Sequence, residues 1–205
     1  MSESTRLAPL PREEWGTDVV AALRGAFPEH VATRFLATGD DALEVPEAIS
    51  TMLHHPALAQ TWLTFNNVLL YGGALDDRQR ELMVLRVAWR TRSNYEWAQH
   101  VRLAARAGID ADEIDVIASG EACERFTPLE RALLAATDQL LDGYRIDDAT
   151  WSQLAEHLDD RQLVEAVFVV GTYTCLAMAF KSFGLRLDPS IDTSVMTLPE
   201  PLPES

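Results

Sequence analysis

Apolar residues recur every three or four positions through most of the chain, the pattern of helices that bury one face. Residues 12–26 read as a first helix, stopped before Pro28. Pro46 suits the first turn of a short helix to about His54, and Pro56 opens a longer one ended by Gly72-Gly73. Asp76 or Asp77 caps the next, which runs to about Arg90. The stretch T-R-S-N-Y-E-W-A-Q-H-V, residues 91–101, starts another that ends at Gly108, a fitting C′ residue. A short acidic helix follows, closed by Gly120, and T-P-L-E at 127–130 is a capping box ahead of a helix to about Leu141. Residues 147–158 form one more, and the longest apolar run spans 160–183. No alternating strand pattern bounded by turn signals occurs. The expected class is all-α.

The tetrapeptide D-D-R-Q occurs at 76–79 and again at 159–162, each time opening a strongly apolar helix. This faint repeat predicts two weakly related helical halves. The expected division is an N-terminal extension with one helix over 1–45, a helical domain over 46–187 and an extended tail over 188–205. The tail carries four prolines and little periodicity, so a frayed end is expected, with wrapping of a neighbouring subunit as the alternative.

Composition narrows the function classes. A chain of 205 residues that is 47% hydrophobic and 24% charged can bury a core and is not disordered in its body. No stretch of 18 apolar residues lacks a charge and no secretory signal opens the chain, so no membrane span is expected and a cytoplasmic location is. A net charge of −15 disfavours nucleic acid and anionic membranes as partners. The charge is uneven. Residues 78–106 hold seven arginines and two acids, a net +5 against −20 elsewhere. That segment either draws in a small anion or pairs with acids of neighbouring helices or subunits. Cys123 and Cys175 form no disulfide framework, and Cys175, amid residues suited to tight helix packing, is expected to be buried and inert. Five histidines show no metal-ligand spacing, so no metal and no cofactor is expected.

The chemistry-bearing residues gather around 81–100. At about 100° per residue, Ser93, Glu96 and His100 lie within roughly 60° on one helix face. His100 belongs to an apolar stripe with Trp97, Val101 and Ala104. In the preceding helix Glu81 shares a stripe with Val84, Leu85 and Ala88, so it also faces inward. A connection of a few residues makes the two helices neighbours. Two carboxyls and an imidazole could then exchange protons in a poorly hydrated space, as general acid and base. The structural alternatives are a capping box, in which Ser93 and Glu96 bond the first turn of the helix, and a Glu81–His100 pair that only stabilises the core.

The run from Glu81 to Ile109, E-L-M-V-L-R-V-A-W-R-T-R-S-N-Y-E-W-A-Q-H-V-R-L-A-A-R-A-G-I, resembles the carboxymuconolactone decarboxylase family, which includes the alkylhydroperoxidase D-like proteins. The resemblance is close over about 76–120 and weaker over 56–75 and 128–184. The peroxidase branch resembles it as a glutamate, eleven residues, then C-x-x-C-x-x-x-H. Laid on this chain, the glutamate falls on Glu81, the cysteines on Ser93 and Glu96, and the histidine on His100. Thiol attack on a peroxide and disulfide exchange are impossible at those two positions. The decarboxylase branch is more similar, with Tyr95-Glu96-Trp97 and then His100. The resemblance implies an alkylhydroperoxidase D-like fold and a cofactor-independent lyase or isomerase. Its substrate would be a small anionic lactone or carboxylic acid, with Glu81, Glu96 and His100 catalytic and Ser93, Tyr95 and Arg86 at the substrate. It also implies a homo-oligomer, trimeric or hexameric. Two other readings remain: a non-catalytic oligomeric binding protein of the same fold, and a thiol peroxidase by family label only.

Overall fold

The computed structural model describes residues 5–119, 125–194 and 196–200. Among them the chain is helical, with no strand: α1 Thr17–Ala26, α2 Glu29–Leu36, α3 Glu47–Met52, α4 Pro56–Tyr71, α5 Asp77–Arg90, α6 Asn94–Arg106, α7 Ala111–Ser119, α8 Pro128–Gly143, α9 Asp148–Ala155 and α10 Asp160–Phe183. Short 3-10 turns occupy Arg12–Glu14 and Gly39–Asp41. The chain forms two compact units.

Among the described residues, the smaller unit takes in 5–72 together with Ser182–Asp188. Its core is Val19, Leu23, Ala26, Phe35, Leu53, Ala59 and Leu63, from α1 to α4. Phe27 and Phe35 meet edge to face at 5.2 Å. Two expectations change here. The boundary at 45/46 falls inside this unit, and the N-terminal region holds α2 as well as α1. The eight residues of α2 bury only Ala32 and Phe35, too few repeats for a periodicity to stand out.

The larger unit runs over Gly73–Lys181 and resumes at Pro189. α5 is its central helix, packed against α6, α7 and α8. Every residue from Arg80 to Ala88 is buried. The D-D-R-Q repeat has one structural meaning at both places. The Asp76 carboxylate accepts from Gln79 N (2.7 Å) while Gln79 Oε1 accepts from Asp76 N (3.2 Å). Asp159 and Gln162 repeat this reciprocal cap at α10 (2.9 and 3.0 Å). The T-P-L-E box opens α8 as expected, with Thr127 and Glu130 bonded both ways. Gly120 and Cys123 lie outside the described residues.

α10 has a mean hydropathy of 1.8 over its most apolar 18 residues, enough by length and composition to cross a membrane. More than half of that window is buried, which suits a core helix equally well. Cys175 is exposed on it, contrary to expectation. A helix apolar on every side carries no mark of which side faces out. The tail is not frayed over its described length. Met196 and Leu198 pack on the α5–α6 core, and the Asn94 side chain holds Glu200 by both backbone groups (2.9 and 3.0 Å).

Candidate active site

The turn between α5 and α6 sets the site's geometry. Arg92 N bonds Trp89 O (3.0 Å) and Ser93 N bonds Ala88 O (2.9 Å), a Schellman turn in which Arg92 takes the left-handed conformation at φ 56°. Gly108 fills the same place after α6, at φ 79°. The tight turn folds α6 back along α5, so His100 meets the helix it follows.

There, His100 Nδ1 lies 2.6 Å from Glu81 Oε2, with the glutamate fully buried and the histidine 8% exposed. Arg80 Nε donates to the other carboxylate oxygen, Oε1, at 3.2 Å, and Arg80 Nη1 donates to Asp77 at 2.9 Å. With Oε1 bonded by the Arg80 cation, a Glu81 carboxylate also accepts at Oε2, and a neutral ring facing it carries its proton on Nδ1 and its lone pair on Nε2. Nε2 makes no hydrogen bond among the described residues. The Tyr173 ring of α10 stands edge-on to the imidazole at 4.9 Å, fixing its plane.

Glu96 is 2% exposed on the same face of α6, and neither of its oxygens has a hydrogen-bond partner among the described residues. Burial pushes its carboxyl well above the usual range; the nearby Ser93 hydroxyl pulls the other way without reaching hydrogen-bond geometry. Ser93 Oγ and Trp97 Nε1 are likewise buried and unpartnered there. The capping box, the structural alternative for Ser93 and Glu96, is absent. Its reciprocal half needs the Ser93 amide, which Ala88 O already holds. The Glu96 side chain is therefore free of capping duty.

The remaining candidates separate from this group. Tyr95 is buried against Phe180, rings 5.2 Å apart, and its hydroxyl accepts from Gln99 at 3.3 Å. Arg86, expected at the substrate, is committed elsewhere. Its Nε and Nη2 grip both oxygens of Asp138 (2.8 and 2.9 Å), and Nη1 donates to Ile117 O (2.8 Å). Most of the +5 segment is spent the same way: Arg78 binds Glu113 and Glu130, and Arg90 binds Asp138 and Asp142. Arg92, Arg102 and Arg106 are exposed. Grooves of about 440 and 770 Å³ lie in this unit, but Glu81, Glu96 and His100 line neither. Among the described residues no group of three His, Cys, Asp or Glu side chains is placed to hold a metal. Arg80 was missed in the sequence because adjacent helical residues point about 100° apart; the charge alternation R-E was its only signal.

The paired glutamate and histidine on consecutive helices lie inside the segment of the chain that matches a known family. Residues 56–139 match the carboxymuconolactone decarboxylase family. No curated protein matches the chain significantly. Among solved structures, the chain is similar to an alkylhydroperoxidase D core, an uncharacterized peroxidase-related protein from Ralstonia eutropha JMP134. The TM-score is 0.71 at 18% identity, covering 95% of this chain and all of that one. It is also similar to the debrominase Bmp8 in complex with 2,3,4-tribromopyrrole, with TM-score 0.70, 14% identity, and coverage of 92% and 95%. A peroxidase-related protein from Silicibacter sp. TM1040 follows at 0.68 and 13%, covering 89% and 98%. At such identities these likenesses establish the alkylhydroperoxidase D-like fold. Within that fold, this chain has Ser93 and Glu96 at the positions flanking the first turn of α6.

Proposed function

We propose that the protein is a cofactor-independent lyase or isomerase that moves protons on a small anionic lactone or carboxylic acid. The observation that carries this reading is the buried Arg80–Glu81–His100 chain, with a second, unpartnered carboxyl, Glu96, one turn before His100 on α6. His100 Nε2 takes a proton from the carbon or hydroxyl that is to become electron-rich, and the imidazolium that forms stays paired with Glu81. Glu96, held in its neutral acid form by burial, returns a proton at a second atom. For a decarboxylation, the C–C bond breaks, carbon dioxide leaves, the electron pair stays as an enolate, and the Glu96 proton quenches it. The acid is restored from water or from His100. Thiol chemistry has no nucleophile at Ser93 or Glu96.

The test is a mass-spectrometric screen of lactone acids and β-keto acids, with His100→Ala and Glu81→Gln as controls. Each variant should lower turnover by at least about a hundredfold, the usual contribution of a positioned acid or base, with helicity retained. Full activity in both variants would sink the assignment. The near-complete burial of Glu81, Ser93 and Glu96, which line neither groove, favours a second reading, a non-catalytic oligomeric binding protein of the same fold. That reading expects a ligand from the same screen to be retained without product, and Glu81→Gln to be tolerated.

A further inference from the structure

We propose that Arg80 is a positioning residue that fixes, through Glu81, the tautomer of His100. The preceding reading of His100 as a proton carrier gives this role its kinetic consequence, but the tautomer itself can be measured without turnover. Two groups flank the Glu81–His100 contact, Arg80 of α5 on the glutamate and the Tyr173 ring of α10 on the imidazole, and Asp77 of α5 stands behind Arg80. Of these, Arg80 supplies the cation that meets Glu81 Oε1. The Arg80 side chain is 8% exposed, and its Nη1 is held by the Asp77 carboxylate, whose side chain is 74% exposed at the helix start. The order is therefore a surface carboxylate, a buried guanidinium, a fully buried carboxylate and an imidazole.

Arg80 acts by making Glu81 an acceptor on both sides. With Oε1 held by the guanidinium, Oε2 meets the ring as an acceptor, so the ring must donate from Nδ1 and leave Nε2 bare. Without Arg80, Glu81 would be a carboxylate in a dry site with no cation beside it, an arrangement that is strongly disfavoured. The lowest-cost escape is uptake of one proton from water at Glu81. The acid then donates to Nδ1, and the ring hydrogen moves to Nε2. The nitrogen needed as base is thereby blocked while every side chain stays near its place.

The experiment uses the full chain with nitrogen-15-labelled histidine and long-range hydrogen–nitrogen correlation spectra, which separate a protonated ring nitrogen from a bare one. The chain has five histidines, and loss of one set of signals in His100→Gln identifies the ring in question. The wild type should show Nδ1–H with bare Nε2. In Arg80→Met, the Nε2–H form should rise from under about 10% to a major fraction. Arg80→Lys, which keeps a cation beside Glu81, should hold the wild-type tautomer; a lysine variant that behaves like methionine assigns the effect to packing and overturns the proposal. Should Arg80→Met fail to fold, Asp77→Asn decides. It changes an exposed side chain, loosens the Arg80 clamp, and should move the populations the same way by less. A wild-type ring protonated at Nε2, or an unchanged tautomer in Arg80→Met (in Asp77→Asn if the first is unfolded), overturns the proposal. If the tautomer shifts as stated while His100→Ala retains turnover on a screened substrate, Arg80 keeps this role and the proton-transfer function is what fails.

Discussion

Glu96 is the residue whose physics departs furthest from its surroundings. A carboxyl with no partner and 2% exposure folds at low cost only when it carries its proton. Its folded-state pKa is raised from the ordinary 4.5. The stabilisation that this proton represents is therefore complete below about pH 4.5 and lost as pH rises through the raised value. Glu96→Gln keeps the shape and removes the titration. The expected result is a urea midpoint that falls toward alkaline pH in the wild type and falls less in the variant. At pH 9 the variant should be the more stable by roughly 1–3 kcal/mol. Equal slopes in both proteins would mean that Glu96 is ionised and solvated in the fold. The Glu81–His100 partnership was legible in the sequence, because two short-linked helices with inward stripes must face each other. Arg86 was not. Its partner, Asp138, is 52 residues away, and nothing local says which of several arginines will meet it.

At the scale of helices, what is local was readable and what is mutual was not. The caps of α5, α8 and α10 depend on residues three apart, so D-D-R-Q and T-P-L-E declared them in advance. The alternative box at Ser93 does not form because the turn before it claims the same amide. α10 poses the converse problem. Leu163, Ala166, Val170, Tyr173 and Ala177 are buried, while Val164 and Met178 are 59% and 61% exposed and Val167 36%. We propose that this outer row is covered by further copies of the chain, in a trimer or hexamer, since a row of exposed aliphatic side chains on a core helix is what an oligomer interface looks like in one subunit. A Val164→Lys, Met178→Lys double variant should sediment as a monomer where the wild type is larger, with unchanged helicity. A wild type that is itself monomeric at tens of micromolar removes the proposal.

For the larger unit as a whole, one guanidinium carries much of the tertiary specification. Arg78 of α5 donates to Glu113 of α7 (2.6 Å), Glu130 of α8 (2.6 Å) and Gly108 O at the end of α6 (2.8 Å), so four helices meet at a single side chain. Both carboxylates are only 10% exposed, and Glu130 is also the capping residue of α8. Glu113 is held below the ordinary 4.5 chiefly by its bond to Arg78. Burial works to raise Glu130, but its bonds to Arg78 and to Thr127 outweigh that and hold it low as well. Groups lowered in this way contribute stability above about pH 4.5, and that stability is lost as pH falls through their folded values, the opposite limb from Glu96. Removing the cation leaves two carboxylates close together in a poorly hydrated space. Arg78→Met should therefore cost roughly 2–3 kcal/mol at pH 7, less than a fully buried pair would, because Arg78 is 27% exposed. It should also flatten the acid limb of the stability profile while leaving the alkaline limb intact. Chemical denaturation at pH 3.5, 7 and 9 reads all three arms. If the variant loses the same free energy at pH 3.5 as at pH 7, Arg78 holds the helices by packing of its methylenes rather than by charge. The +5 segment of the sequence would then owe its arginines to the core they cover, and not to the acids they meet.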